Sequence, residues 1–218
     1  MVRKVLCKRI LSLLAVISIA FSAFVYRSAD AAKETQDNFD VEAFMNNIGI
    51  GTVNDKNAFI TRGDFVVLLL QALGHEELSG DEYFLDTEGV QGEYINTAAQ
   101  MGIVSKNEEK LFYPDRIISA AEASAMILRV LGYTEIMDDT TFPSAYMSWA
   151  SKLRILDGVY GREQLSGADA TRILYNMLNT KYVRVELNAT KEKSVYTTSD
   201  GTYMEDVLGV YKRSGIVQ

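Results

Sequence analysis

Cysteine and histidine are almost missing: one of each in 218 residues. Zinc fingers, Cys/His catalysis and disulfide scaffolds all need more of them and are excluded. Basic residues are short as well, 22 Lys and Arg against 29 Asp and Glu, a net charge of −7. A nucleic-acid binder carries a basic face, so that class is excluded too. His75 follows a helix-ending Gly74 and precedes Glu76-Glu77, which makes it a solvated cap residue. One histidine alone builds no metal site, and no cofactor is implied. What is present is an ordinary globular balance, 48% apolar and 23% charged. At ~150 residues per domain the length allows one or two domains with a real core.

The N-terminus reads as an address. Arg3, Lys4, Lys8 and Arg9 precede an uncharged run from Ile10 to Tyr26, and Ala29-Asp30-Ala31 fits the small-x-small cleavage rule. This is the pattern of a secretory signal peptide over residues 1–31 of a bacterial kind. The rival reading is an uncleaved anchor, since 17 uncharged residues reach the short edge of what spans a bilayer, roughly 17–25 residues. Cys7 precedes the apolar run and is misplaced for a lipoprotein. Cleavage leaves 17 basic against 28 acidic residues, a charge of −11, and no cysteine. Asn188-Ala189-Thr190 then reads as a chance sequon.

Beyond a linker at 32–38, the chain repeats itself. Ile60-Thr61-Arg62-Gly63-Asp64, Ile118-Ser119-Ala120-Ala121-Glu122 and Leu165-Ser166-Gly167-Ala168-Asp169 each open an apolar-periodic segment. Five columns behind each opening are apolar in every copy: Phe65/Ala123/Ala170, Leu68/Met126/Ile173, Leu69/Ile127/Leu174, Ala72/Val130/Met177 and Leu73/Leu131/Leu178. The spacing i, i+3, i+4, i+7, i+8 is the buried stripe of a helix. Gly74, Gly132 and Asn179 end these helices and are residue types that tolerate a left-handed cap. A shorter helix precedes each, with one face formed by Val41/Tyr94/Tyr146, Met45/Ala98/Ala150 and Ile48/Met101/Leu153 ahead of Ile50, Ile103 and Ile155. Gly49 and Gly102 close the first two, and Arg154 stands at that place in the third. One helix pair cannot bury its own stripe, so the copies pack together. Their bounds are 39–76, 77–134 and 135–181.

The tail, 182–218, breaks the pattern. Val183, Val185 and Leu187 alternate like a strand. Thr198-Ser199-Asp200-Gly201 is a turn signal. Thr202 to Leu208 suits a short helix, and Gly209-Val210-Tyr211 and Gly215-Ile216-Val217 suit strand pieces. The chain stops right after an apolar Gly-Ile-Val, at Gln218, which suggests the N-terminal part of something longer.

These units resemble the S-layer homology (SLH) domain. Phe84-Leu85-Asp86, Gly102-Ile103, Phe112-Tyr113-Pro114 and Ile60-Thr61-Arg62-Gly63-Asp64 match its elements, and Phe142 through Leu178 looks like the divergent third repeat of clostridial-type members. The resemblance covers about residues 39–181. It implies a mainly α fold, three helix-loop-helix repeats in a pseudo-threefold spindle, here with a small α/β tail. It implies no enzyme but non-covalent anchoring of an exported protein to a Gram-positive-type cell wall. The partner is a secondary cell-wall polysaccharide, often bearing pyruvate ketals, held in grooves between repeats. No nucleic acid is involved, and the membrane only transiently through the signal peptide. Further domains or surface proteins are additional partners.

In the family the helix-start Arg contacts the anionic sugar, helped by polar and aromatic groove residues. The ligand set carried over is Arg62, Asp64, Asp86, Glu122, Trp149 and Asp169. Capping competes for the acids: Thr61, Ser119 and Ser166 precede Asp64, Glu122 and Asp169 by three residues, a capping-box pattern. Arg62 does not fit capping, because a cation in the first turn opposes the helix dipole by a few tenths to ~1 kcal/mol. An Arg fork beside free N–H groups is a bidentate clamp for a carboxylate; the other reading is a surface salt bridge. Ala120 and Gly167 stand at that position in the other copies, so at most one full-strength groove is expected, and multivalent avidity falls accordingly. Arg116 lies two residues before Ile118 rather than two after it, and is not a simple substitute. Asp86 either caps the next helix or accepts a sugar hydroxyl. Trp149 either packs in the core or stacks on a sugar.

Two other functions stand against wall binding. One is a degenerate spindle serving as a structural or protein-interaction segment of a larger surface protein. The other is a glycosidase, which needs two carboxylates about 5–10 Å apart in a cleft; the sequence offers only solvated acid pairs and capping acids. The tripeptide Arg62-Gly63-Asp64 falls inside a capped helix start and does not present as an adhesion loop.

Overall fold

The computed structural model describes residues 40–51, 55–75, 78, 80–187 and 194–210. The signal segment, the linker 32–38, the 188–190 sequon and the Gly215-Ile216-Val217 piece lie outside the described residues. The chain divides into Met1–Asp40 and Val41–Gln218, and every element below belongs to the second unit.

The elements are α1 (Val41–Asn47), α2 (Arg62–Ala72), α3 (Gly89–Gln100), α4 (Ala120–Val130), a 3-10 turn (Tyr133–Glu135), α5 (Ser144–Lys152), α6 (Gly167–Leu178), β1 (Lys181–Leu187), β2 (Ser194–Thr202) and α7 (Tyr203–Asp206). The protein is mainly α with a small C-terminal strand region. Each long helix starts where its cap stands. Thr61, Ser119 and Ser166 adopt extended backbone, and their hydroxyls accept the amides of Asp64, Glu122 and Asp169. Such a cap contributes about 1 kcal/mol. The reciprocal bond is made by Glu122 and Asp169, whereas Asp64 turns away and accepts Gln91 Nε2 at 2.8 Å.

The five apolar columns are buried except Val130, which is partly buried against the core. Helix α2 hides a second face as well, through Val66 and Leu70. The reason is the pairing of helices. α2 packs on α3, α4 on α5 and α6 on α1. Each long helix thus covers the short helix of the next copy, and the last long helix closes on the first short one. Helices pressed from two sides need more than one apolar stripe. On the short helices Ile48, Tyr94 and Leu153 are partly buried, and Met101 is 43% exposed. It is the C-cap of α3, where the chain turns away from the core.

Own-copy links tie the second and third units together. Arg129 Nη1 donates to Ile103 O at 3.1 Å, and Asn176 Nδ2 to Ile155 O at 2.9 Å. Arg154 takes the left-handed conformation of its counterparts, φ 62° beside 80° for Gly49 and 74° for Gly102. Asn179 does not: its φ is −89°, and its side-chain amide bonds Tyr175 O instead.

The helix starts meet at the centre. Ile60 N donates to Leu165 O at 3.0 Å, Leu165 N to Ile118 O at 3.0 Å, and Ile118 N to Ile60 O at 3.2 Å. Three backbone bonds close a ring in which every copy contacts both others. Outside it, the first helical amides are also satisfied across copies: Arg62 N by Arg116 O, Ala120 N by Arg162 O and Gly167 N by Ala58 O, at 2.8, 2.9 and 2.9 Å. These are amides that a helix cannot satisfy internally.

β1 and β2 form an antiparallel pair. The Thr198–Gly201 signal is not the hairpin turn. Those residues lie inside β2, where the register steps from Val183↔Thr198 to Lys181↔Thr202. Tyr182 therefore opposes three residues, a bulge, with its amide donating to Ser199 Oγ at 2.9 Å. Turn-forming residues suit a bulge for the same conformational reason. The short helix expected over 202–208 forms as α7.

Candidate functional site

The helix start of the first copy faces the Phe112–Arg116 loop and the helix start of the second. Arg62 opens α2 with its guanidinium inside this contact. Its Nε donates to Phe112 O at 3.1 Å, its Nη1 to Glu122 Oε1 at 2.9 Å, and its central carbon lies 4.4 Å over the Phe112 ring. The Arg62 side chain is 17% exposed and that of Glu122 13%. The clamp expected beside free amides is therefore already engaged. The amides are engaged as well: Arg62 N and Gly63 N reach Arg116 O and Pro114 O, and Asp64 N reaches Thr61 Oγ1. Glu122 offsets the dipole penalty of a first-turn cation.

Arg116 joins the same carboxylate, its Nη2 donating to Glu122 Oε1. Its side chain is 53% exposed. The triad of two guanidinia and one carboxylate thus keeps one net positive charge, carried on the open side by Arg116. Burial pushes the Glu122 carboxyl up. The Ser119 amide, Arg116, Arg62 and the Ser119 hydroxyl outweigh that push and hold it below its ordinary value. Burial lowers Arg62, with Glu122 pulling the other way, and the guanidinium stays charged.

The loop that supplies Phe112 is held by Asp86. Its two carboxylate oxygens accept the amides of Phe112 at 2.8 Å and Tyr113 at 2.7 Å. This locks Tyr113 at φ 61° with the ring 48% exposed, while Phe112 is buried. Asp86 leaves the cap of the next helix unfilled, since Glu88 holds that position without a side-chain bond.

Of the six sequence-predicted residues, Arg62, Glu122 and Asp86 come together through Phe112. Asp64 is exposed and bonds Gln91. Asp169 is 7% exposed and serves a different loop: its carboxylate accepts Tyr160 N at 2.9 Å and Gly161 N at 3.2 Å besides the capping bonds. Trp149 is partly buried, with the Tyr133 ring centroid at 5.8 Å and Lys152 Nζ 4.5 Å over the indole. The residue that sequence reasoning set aside is Arg116. Linear register put it on the wrong side of Ile118. The signal that finds it is the cross-copy backbone bond from Arg62 N, which no single copy contains. A cleft elsewhere is lined by Ile48–Gly51, Gln71, His75, Tyr94 and Leu208 among others.

Comparison with known proteins now adds to this geometry. The family profile of the S-layer homology domain matches residues 83–124. An SLH domain is thus present there, and it contains Asp86, Phe112, Arg116 and Glu122 but not Arg62, which enters from the preceding helix. A surface layer protein of Brevibacillus choshinensis is 29% identical over 148 residues, 61% of this chain and 13% of the relative. The chain spans only that small share of the relative's length.

Proposed function

We propose that the protein anchors an exported polypeptide non-covalently to the bacterial cell wall. The partner is a secondary cell-wall polysaccharide bearing carboxylates, pyruvate ketals among them, and the groove is the one between α2, the 112–116 loop and α4. The observation that carries this reading is the net-positive Arg62–Glu122–Arg116 cluster, built partly by the SLH-matched residues, on a chain that is acidic overall. A local cation on an acidic protein focuses an anionic ligand. The similarity to a surface layer protein supports a cell-surface, cell-wall setting and a structural rather than catalytic role. The N-terminal 1–31 segment supplies export, and the three units 39–76, 77–134 and 135–181 act as SLH repeats.

A second reading has two observations in its favour. Glu122 already neutralises one of the two arginines, and the other helix starts carry Ala120 and Gly167. On that reading the three units form a structural or protein-interaction segment of a longer surface protein.

Co-sedimentation of the exported protein with purified Gram-positive sacculi separates the two, run before and after mild acid extraction of the secondary polymer. Wall anchoring predicts pelleting that disappears on extraction. No pelleting of the protein leaves the structural reading.

A further inference from the structure

The two arginines of the groove are not equivalent. Arg62 is fixed by the Phe112 carbonyl, the Glu122 carboxylate and the Phe112 ring, with 17% of its side chain exposed. Moving it strips a part-buried carbonyl and a part-buried carboxylate of a partner at once. Arg116 is anchored at its backbone, where its carbonyl accepts Arg62 N at 2.8 Å and its amide donates to Tyr113 O at 3.2 Å. Among the described residues its side chain bonds Glu122 alone. Both guanidinia use the same oxygen, Oε1, while Oε2 stays on Ser119. Arg116 can therefore leave without unpairing Glu122.

We propose that Arg116, rather than Arg62, meets the carboxylate of the bound polymer, and that Glu122 is an internal carboxylate from which the ligand takes Arg116 over. This rests on the wall-binding reading and deepens it. The exchange swaps one carboxylate for another on a guanidinium whose fork suits bidentate pairing. The half-exposed Tyr113 ring, at the other end of the same turn, offers a flat face to the adjoining sugar. Arg62 is the positioning residue: it holds Glu122 at the height where Arg116 is caught and released. The groove therefore selects a carboxylated polymer that adds sugar contacts, because a simple anion competes with Glu122 without them.

The test is an equilibrium sedimentation isotherm on sacculi for the exported protein and its variants. Arg116→Gln is expected to weaken binding by about tenfold or more, with a thermal midpoint matching the parent. Arg116→Lys keeps the charge without the fork and falls between the two. Arg154→Gln removes an equal charge on another loop and stays within about twofold of the parent. Glu122→Gln lowers the thermal midpoint yet tightens binding several-fold, a gain that a purely structural role does not produce. Arg116→Gln binding like Arg154→Gln overturns the inference and leaves wall anchoring standing. Failure of the parent protein to pellet overturns both.

Discussion

Asp64, Glu122 and Asp169 occupy the same position, four residues after the ring residues Ile60, Ile118 and Leu165, yet the three regions around them differ. Glu122 caps its helix and gathers two arginines from elsewhere. Asp169 caps its helix and holds two amides of the loop before it. Asp64 is exposed and meets only a glutamine side chain and its own helix start. The local motif is shared; the loop each one meets decides its work. The Glu122 region is charged and partly open at Arg116, which suits an anion. The Asp169 region uses its carboxylate on neutral amides, which suits a fixed loop.

Alanine at each acid ranks the three regions. Glu122→Ala leaves Arg62 without its carboxylate in a largely buried place and is expected to cost about 3–5 kcal/mol. Asp169→Ala removes the return bond to the Ser166 cap and leaves two loop amides without their acceptor, about 2–3 kcal/mol. Asp64→Ala stays within about 0.5 kcal/mol, as exposed substitutions do. Urea denaturation midpoints give the order, and an Asp64 cost equal to that of Glu122 breaks the comparison.

Acid sharpens it. Burial raises both Glu122 and Asp169, but hydrogen bonds, joined at Glu122 by the two arginines, outweigh it and hold both folded-state values below their ordinary ones. For such groups the stabilisation is fully present above the unfolded-state value, about pH 4. It is lost as pH falls through the lower folded value. Stability is thus expected to be flat from neutrality to about pH 5 and to drop below it. Glu122→Gln and Asp169→Asn each reduce the drop, measured as the pH dependence of the unfolding free energy.

The smallest effect concerns the short-helix ends. Arg154 holds a left-handed backbone that Gly49 and Gly102 take without a Cβ. Arg154→Gly relieves about 1–2 kcal/mol of strain, partly cancelled by the added freedom of the unfolded glycine. Its exposed pairing with Asp157 adds little. A net gain of about 0.5 kcal/mol is expected in the same denaturation series. A loss instead means that Arg154 does more than end a helix.

Much of the fold is legible in the sequence. Helix periodicity, the three capped starts and the β1 strand depend on local spacing, and they appear in the structure where spacing puts them, although Val185 within β1 is exposed. The Thr198–Gly201 signal failed because bulges and turns draw on the same residues. Asn179 failed because its side chain found a nearer carbonyl, Tyr175 O, without a left-handed backbone. In the site, Arg62 was legible as the one cation among the three helix starts, and Glu122 as a capping acid. Their pairing was not, because it crosses 60 residues and joins two copies.

The sequence by itself determined the helices, their caps and the apolar stripe that each had to bury, since these follow from side chains within one or two turns. Only the tertiary structure decided which copy meets which. The ring through Ile60, Ile118 and Leu165 sets one helix start against the next copy's loop. That contact places Arg116 beside Glu122 and turns a capping acid into the centre of a charged cluster. Charges far apart in sequence act strongly on one another when the chain's closure brings them together and displaces much of the water between them.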